Sequence, residues 1–237
     1  PEDCDCLIIA NPTSDFQDSE TNLIIDYINK GGNILWLNGA PQEEYPNIQK
    51  VLSLYGASIP NGTIRETSAS RIIGVPSYFT PDVSYHKITQ NFSSSNAILL
   101  FDSSRIDIVD DETLDSLNVT ATPFIKSSDT SYFRTDYSNT SQTKADNEEE
   151  GPFNIGVEFT KKIDNNESKL ILYSDLKFAT DSITIGNSTQ IPLRLFNNKD
   201  LLLNTVAYLT DREDAITIRK DTGAVSYTAT QQQDSII

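Results

Sequence analysis

Small polar side chains follow several short apolar runs of this sequence, at the points where buried strands would end. They are Asn11, Asn38, Ser103, Ser104 and Asp175. If those runs are neighbouring strands of an open sheet, their carboxyl ends meet at one edge, which is where such sheets bind ligands. Amide, hydroxyl and carboxylate groups there would hydrogen-bond a carbohydrate or another small metabolite. We predict a ligand-binding edge; the alternative is that strand ends are polar only because loops meet water.

The sequence offers no recognisable set of residues for nucleophilic catalysis. It contains no G-x-S-x-G turn, and neither Cys4 nor Cys6 stands at a strand-to-helix turn. The single imidazole, His86, lies in a turn-rich segment and is interpreted as structural. A carboxylate pair would suit acid–base chemistry, but 34 acidic residues single out no pair. We therefore predict that the protein is not an enzyme, and keep an unrecognised hydrolase as the weaker alternative.

The residue types also predict no cofactor and no metal. Cys4, Cys6 and one histidine cannot complete a zinc shell. The acidic stretch 107–115 lacks the spacing and central glycine of an EF-hand and is interpreted as the start of a helix. No glycine-rich phosphate-binding loop follows a predicted strand. As strand neighbours at i and i+2, the two cysteines would share a face, too far apart for an unstrained disulfide.

The charge balance excludes one class of partner. With 18 basic against 34 acidic residues, the formal net charge is −16. Nucleic-acid binding depends on lysine and arginine displacing counterions from phosphates, so we predict no nucleic-acid partner. Docking on an anionic membrane surface is disfavoured for the same reason.

The elements that would position these residues alternate between strand and helix. Continuous apolar runs at residues 7–10 and 34–37 are typical of buried parallel strands. Between them, Ser14, Asp15, Asp18 and Ser19 are candidate helix caps, and Gly31 and Gly32 would end the helix. Pro46 suits the first turn of a second helix that Gly56 closes. This pattern predicts an α/β fold with a doubly wound, mostly parallel sheet.

We predict three successive parts in the remainder of the chain: an insertion, a second stretch with the α/β pattern, and a stalk. Residues 63–150 form a β-rich and loop-rich insertion within a single α/β domain spanning 1–219, and 127–150 are an exposed loop. Strands follow at 153–159 and 169–173. A helix over 200–209 carries Leu202, Val206 and Leu209 on one stripe, and a last strand covers 215–218. Residues 220–237 read as a polar stalk that would lead to a membrane helix beyond Ile237.

A series of motifs resembles a known family across nearly the whole chain. In order they are CLIIANPT (6–13), LIIDYINKGG (23–32), NILWL (33–37), YPNI (45–48), LSLYGAS (52–58), SYFRTD (131–136), GPFNIGV (151–157), KLILYSDLKFATD (169–181) and DLLLNTVAYLTDREDAITI (200–218). They resemble the auxiliary domain of an uncharacterised ABC-type transport system, the GldG-like group associated with gliding motility. These motifs are structural and none is catalytic.

The resemblance implies a context as well as a fold. Such a domain would lie on the extracytoplasmic face of the bacterial cytoplasmic membrane, tethered by helices and associated with an ABC permease and its ATPase. Its fold would be like that of class I glutamine amidotransferases, or flavodoxin-like, without the catalytic cysteine. Lys87 follows His86 where the family usually has proline, which argues against a special role for that turn. The resemblance names no ligand.

Overall fold

The computed structural model describes residues 4–41, 43–92, 98–185 and 188–216. The helices are α1 (Asp18–Asn29), α2 (Pro46–Ser53), α3 (Asp111–Ser116) and α4 (Asn198–Leu209). The strands are β1 (Leu7–Ala10), β2 (Ile34–Leu37), β3 (Ala57–Ser58), β4 (Thr63–Arg65), β5 (Ile72–Ile73), β6 (Val75–Phe79), β7 (Asp82–Val83), β8 (Leu100–Phe101), β9 (Asp107–Ile108), β10 (Val119–Lys126), β11 (Tyr132–Arg134), β12 (Glu149–Glu150), β13 (Asn154–Ile163), β14 (Asn166–Tyr173), β15 (Ile183–Ile185) and β16 (Ser188–Gln190).

The main sheet has six strands in the order β1-β2-β14-β13-β10-β7. Strand β2 pairs in parallel with both β1 and β14. The remaining neighbours, β14 with β13, β13 with β10, and β10 with β7, are antiparallel. Short strands form separate small sheets, β12-β11-β4 and β5-β6-β8 with three strands each, and the pairs β3-β9 and β15-β16.

The prediction of a doubly wound, mostly parallel sheet is therefore wrong. The sheet is mixed because β13 and β14 form a hairpin, joined by a turn in which Asp164 has a φ of 50°. Continuous apolar runs predict parallel strands because parallel strands are normally buried on both faces. Here β13, which is antiparallel to both of its neighbours, is buried at five consecutive positions, so an apolar run does not reveal the strand direction.

Alternate residues of the central strands face two separate hydrophobic clusters. Ile34 and Trp36 of β2 face the side covered by α1 and α2, where they belong to one hydrophobic cluster with Ile28 and Val51. Leu35 and Leu37 face the other side, with α4 and much of the β-rich segment. Two of the strands within residues 63–150, β7 and β10, complete the main sheet itself. The result is a three-layer arrangement with the sheet in the middle.

Helices α1 and α2 form where the sequence predicts them, but the residues that cap them differ from the predicted ones. The cap of α1 is Gln17, which forms a reciprocal capping box with Glu20. Asp15, a predicted cap of α1, instead accepts hydrogen bonds from the backbone N–H groups of Asn47 and Ile48, both at 3.0 Å. It therefore caps the first turn of α2, where Pro46 takes the predicted early position.

Two details of the C-terminal half differ from prediction. The buried face of α4 carries Leu201, Thr205 and Tyr208, whereas Leu202 and Val206 are only half-buried. Residues 213–216, including part of the predicted last strand, form a turn of 3₁₀ helix. Helical stripes drawn from apolar residues alone miss a position such as Thr205, whose hydroxyl bonds to the carbonyl of Leu201 at 2.8 Å.

Residues 127–150 are ordered around one buried arginine rather than being simply an exposed loop. Arg134 is 1% exposed, and its guanidinium donates to Glu148 and to the carbonyls of Asn139, Ser141 and Thr143. This single planar group thus holds together residues 139–148, none of which is a buried apolar residue.

Two observations concern the membrane. Across the described ranges, no helix combines the length and apolar character needed to cross a bilayer. The predicted stalk at 220–237 lies outside the described residues.

Candidate functional site

The carboxyl ends of β1, β2 and β14 lie side by side, and backbone hydrogen bonds continue beyond each strand. The N–H of Asn11 donates to Leu37 at 2.7 Å, and the N–H of Asn38 donates to Tyr173 at 2.9 Å. The segment after β8 joins the same edge, because the N–H of Ser104 donates to the carbonyl of Ser174 at 2.8 Å. We call the set Asn11, Asn38, Ser103, Ser104, Ser174 and Asp175 the strand-end rim. All five residues predicted from the sequence belong to it.

The two asparagines of the rim hold the loop that follows β2. Asn11 has a left-handed φ of 45°, a conformation that asparagine tolerates well, and its Oδ1 accepts the N–H of Gly39 at 2.9 Å. Asn38 donates from Nδ2 to the Gly39 carbonyl at 2.7 Å, and its Oδ1 accepts from the Trp36 indole at 3.4 Å. Asn11 is half-buried and Asn38 is 8% exposed.

Asp175 ties the segment around β8 to the end of β14. Its Oδ2 accepts from the N–H of Phe101 at 2.6 Å and from the hydroxyl of Ser103 at 2.9 Å. Its Oδ1 accepts from the N–H of Phe178 at 3.1 Å. Burial raises the pKa of this carboxyl from 3.8 to about 6, although the three hydrogen bonds oppose the shift.

The serines of the rim are engaged in the same way. Ser104 donates its hydroxyl to the carbonyl of Pro60 at 2.7 Å, and Ser174 donates to the carbonyl of Ser104 at 2.8 Å. Ser103, Ser104, Ser174 and Asp175 are all at most 1% exposed. Their polar groups are therefore directed at one another and at the backbone, and they stabilise the edge from within. Their predicted role in ligand binding remains a prediction.

A cleft of about 590 Å³ opens beside the rim, at the end where Asn38 lies. We call it the rim cleft. Its walls come from the end of β2, the loop before α2, one face of α2 and the loop between β3 and β4. The described lining residues are Asn38, Pro41, Glu43, Glu44, Tyr45, Pro46, Ile48, Gln49, Leu52, Ile59, Pro60 and Asn61. Its volume lies within the range of small-molecule sites in proteins.

The rim cleft combines an apolar floor with polar groups at its mouth. Ile48, Leu52 and Ile59 are buried, at 3–8% exposure, whereas Glu43 and Glu44 are exposed. Its walls are held in place, because the Tyr45 hydroxyl donates to the carbonyl of Thr13 at 3.2 Å and Asp15 caps α2. Such a cleft is suited to holding a ligand or a short partner segment.

Sequence reasoning identified Asn38 in this cleft and missed the other lining residues. The segment PQEEYPN, residues 41–47, places two prolines, two carboxylates and a tyrosine between a strand end and a helix. That composition was a usable signal, since conformationally restricted loops at strand ends often carry binding residues. The second wall, residues 59–61, gave no comparable signal because its contact with α2 depends on the fold.

His86 belongs to a separate buried cluster on the α4 side of the sheet. Its Nδ1 accepts the N–H of Ile88 at 3.2 Å, so Nε2 carries the proton and donates to Glu158 at 2.6 Å. Tyr208 donates to the other oxygen of Glu158 at 2.7 Å, and the imidazole stacks on Phe124 with ring centroids 4.5 Å apart. The histidine is 7% exposed, which agrees with the structural role predicted for it.

The electrostatics of this cluster follow from its hydrogen bonds. Burial would raise the pKa of Glu158, but the hydrogen bonds from His86 and Tyr208 outweigh it and leave that pKa below its usual value. Burial and the neighbouring carboxylate raise the pKa of Tyr208. The cluster thus holds a carboxylate ion in place between α4, β13 and the turn at His86.

The geometry offers no metal site within the described residues, where no three His, Cys, Asp or Glu side chains are grouped to hold an ion. Cys4 and Cys6 are free and half-buried, and both precede β1 rather than lying within it. Burial raises the pKa of the Cys6 thiol to about 11, so this thiol is protonated and unreactive at neutral pH.

Comparison with solved structures concerns the fold alone. The mmIFT52 N-terminal domain superposes with a TM-score of 0.58 at 16% identity, covering 87% of this chain and 77% of that one. A putative ThuA-like protein from Bacteroides uniformis gives a TM-score of 0.45 at 11% identity, covering 86% of this chain and 69% of that one. No curated protein matches the sequence significantly.

The sequence itself matches a family profile over most of its length. The profile is described as an ABC-type uncharacterized transport system, and it covers residues 1–205 of the 237, including β1, β2, β14 and the whole rim cleft. The chain therefore belongs to this family of auxiliary domains of ABC-type transport systems.

Proposed function

We propose that this domain is a non-enzymatic, extracytoplasmic part of an ABC-transporter accessory protein and that it works by binding. Its partners would be the ABC permease and ATPase of the same system, and the rim cleft would receive a ligand or a segment of the permease. The observation that carries the proposal is the cleft of about 590 Å³ beside the carboxyl ends of β1, β2 and β14.

The lining of the cleft favours binding over catalysis. Its described residues are proline, isoleucine, leucine, tyrosine, asparagine, glutamine and glutamate, with no serine, cysteine, histidine or lysine among them. The carboxyl group with the raised pKa, Asp175, is 1% exposed and is not part of the lining. A catalytic carboxylate would need to reach a substrate, so Asp175 is better explained as an internal support of the rim.

A second candidate is a carbohydrate- or small-metabolite-binding module that acts without stable attachment to the permease. Tyr45 and the amide side chains of Asn38, Gln49 and Asn61 line the same cleft. Aromatic faces and amides together provide the apolar and hydrogen-bonding contacts that a sugar ring or polar metabolite needs.

Cell fractionation with co-purification tests the leading proposal. The full-length protein, carrying an affinity tag, is expressed in its native host, and protease is added to intact spheroplasts. We expect the protein in the membrane fraction, the domain cleaved from outside, and the permease and ATPase in the detergent-solubilised eluate. Recovery of a free cytosolic protein would contradict the proposal.

Two variants show whether the cleft contributes. Gln49→Trp places a large ring in the cleft from an exposed position on α2, and Asp111→Asn alters an exposed residue of α3 that does not line it. If a permease segment occupies the cleft, Gln49→Trp lowers the yield of permease and Asp111→Asn does not. An unchanged yield with both variants would favour the second candidate, in which the occupant is a small ligand.

A further inference from the structure

We propose that the rim cleft takes a small organic cation, a primary ammonium or guanidinium group carried on an apolar or ring-shaped body. This inference rests on the proposed binding function of the cleft and adds the chemical class of its occupant. It follows from the charges at the mouth, the composition of the floor and the location of the nearest cations.

The mouth of the cleft carries two carboxylates without basic partners. Glu43 and Glu44 are exposed, and within the described part of the chain neither forms an ion pair or a side-chain hydrogen bond. A bound ammonium or guanidinium group would gain charge-assisted hydrogen bonds to these carboxylates.

No basic side chain of the cleft neutralises these carboxylates. The lining contains no lysine or arginine among its described residues. Lys50, the cation on α2, lies about 200° around the helix from Ile48, which faces the cleft. An anionic ligand such as a phosphate or carboxylate would therefore meet negative charge with nothing to compensate it.

A neighbouring cleft of about 260 Å³ shows the contrasting arrangement. It shares Pro60 with the rim cleft and contains Arg105, whose guanidinium lies between Asp107 at 2.9 Å and Glu149. There the acidic groups already have an internal cation, stacked 4.6 Å from the ring of Phe133. The rim cleft has carboxylates but no cation among its described lining residues, so a cation that pairs with them would be supplied by the ligand.

The floor determines what the cation is attached to. Ile48, Leu52 and Ile59 supply a hydrocarbon surface, and Tyr45 adds an aromatic ring. A bare metal ion or a strongly hydrated polyamine would leave this surface unused, whereas an ammonium on an apolar or ring-shaped body uses the floor and the mouth together.

A matched set of probes tests the inference on the 237-residue chain. Phenethylammonium, its neutral isostere 2-phenylethanol and the anionic 3-phenylpropionate share one body and differ in charge. Dissociation constants are measured by protein-observed NMR titration at low ionic strength and again at high salt. We expect the ammonium to bind about tenfold more tightly than the alcohol, the carboxylate weakest, and the preference to shrink in high salt.

Variants inside and outside the cleft show whether the preference for the ammonium arises from the cleft. Glu43→Gln with Glu44→Gln should bring the ammonium to the affinity of the alcohol, and Gln49→Arg, which supplies an internal cation, should weaken ammonium binding at least as much. Asp111→Asn with Glu112→Gln removes two exposed acidic residues of α3, outside the cleft, and should leave the preference intact.

Each other outcome overturns the inference in an identifiable way. If 2-phenylethanol binds as tightly as phenethylammonium or more tightly, the cleft is a binding site that does not prefer a cation. An ammonium preference that disappears with the α3 variant would show an effect of overall charge. If none of the probes binds while the permease still co-purifies, the cleft does not take an organic cation. The proposed association with the permease would be unaffected.

Discussion

At the scale of single residues, the charge state of Asp175 illustrates how burial determines the role of a polar group. An aspartate at the end of a buried strand is easily mistaken for a ligand-binding residue. Here its carboxyl group accepts three hydrogen bonds from Phe101, Ser103 and Phe178, and it is 1% exposed. Its pKa, raised to about 6 by burial, therefore affects folding stability.

We predict a measurable pH dependence from this group. The folded state has the higher pKa, so between about 6 and the ordinary value of 3.8 it binds more protons than the unfolded chain. Stability should therefore rise as the pH falls through this window, by up to about 3 kcal/mol from this residue. Urea unfolding at several pH values, for the wild type and Asp175→Asn, isolates the contribution. The stability of the wild type minus that of Asp175→Asn should therefore increase as the pH falls, and a value that stays constant or decreases would contradict the account.

A second residue-scale prediction concerns Arg134. Replacement with lysine keeps the charge and loses the planar fork that contacts Glu148 and three carbonyls. We expect Arg134→Lys to lower the free energy of unfolding by about 3 kcal/mol and to make residues 136–148 cleavable in limited proteolysis. The control is Arg71→Lys, in the exposed ion pair with Asp82, which should cost less than about 0.5 kcal/mol. Similar losses from both variants would refute this account of the loop.

Composition could not predict the role of either residue. The partners of Asp175 around β8 are more than 70 residues away in sequence, in a segment whose position relative to β14 is set only by the fold. Arg134 stands in a Ser/Thr/Asp/Glu-rich stretch that is typical of a solvated loop. Arg134 is buried because residues 139–148 surround its side chain. The hydropathy of an arginine taken alone does not predict that burial.

At the scale of elements, Asp15 links two helices that follow different strands. Its two carboxylate oxygens accept from the first backbone N–H groups of α2, although it precedes α1 in sequence. We expect Asp15→Ala to destabilise the domain by about 1 kcal/mol, measured by thermal or urea unfolding. Because α2 forms one wall of the rim cleft, the same variant should weaken phenethylammonium binding.

The exposed neighbour Ser14 provides the control for this cap. Ser14→Ala alters the same loop and removes no hydrogen bond to α2. It should leave both stability and binding within error of the wild type. If Ser14→Ala costs as much as Asp15→Ala, the loop and not the cap supports α2.

The elements that were predicted correctly are those whose local signals suffice. The helix α1 ends as predicted at a glycine pair, where Gly31 has a φ of 85°, and α2 begins at Pro46. Strand positions at 7–10 and 34–37 were also correct. The strand direction was predicted wrongly, because β13 is buried over residues 155–159 much as β2 is buried over its whole length, although β13 pairs antiparallel with β14. Direction depends on the length of the connection, and the two-residue turn at 164–165 was the signal to use.

At the scale of the whole molecule, the three layers place a ligand-sized cleft beside a rim that is hydrogen-bonded within itself. The net charge of −16 gives the whole molecule a negative potential, and the charged residues that line the cleft are Glu43 and Glu44, so cations would be attracted and anionic ligands repelled. The sequence correctly indicated the family, and the five polar residues that it singled out lie at one edge of the sheet, where ligand binding stays a prediction. It did not indicate which side chains at that edge remain accessible, because accessibility is decided by contacts between the loop at 41–46, α2 and the loop at 59–61.

The central claim is that the rim cleft is the surface through which the domain binds. The most direct measurement is site-specific photocrosslinking in intact cells, with a photoreactive amino acid at Gln49 in the cleft or at Asp111 on α3 of the full-length protein. We predict adducts from position 49, to the permease or to a small molecule seen as a mass increase of the tagged protein, and none above background from position 111. Equal labelling from both positions, or labelling from position 111 alone, would contradict the claim.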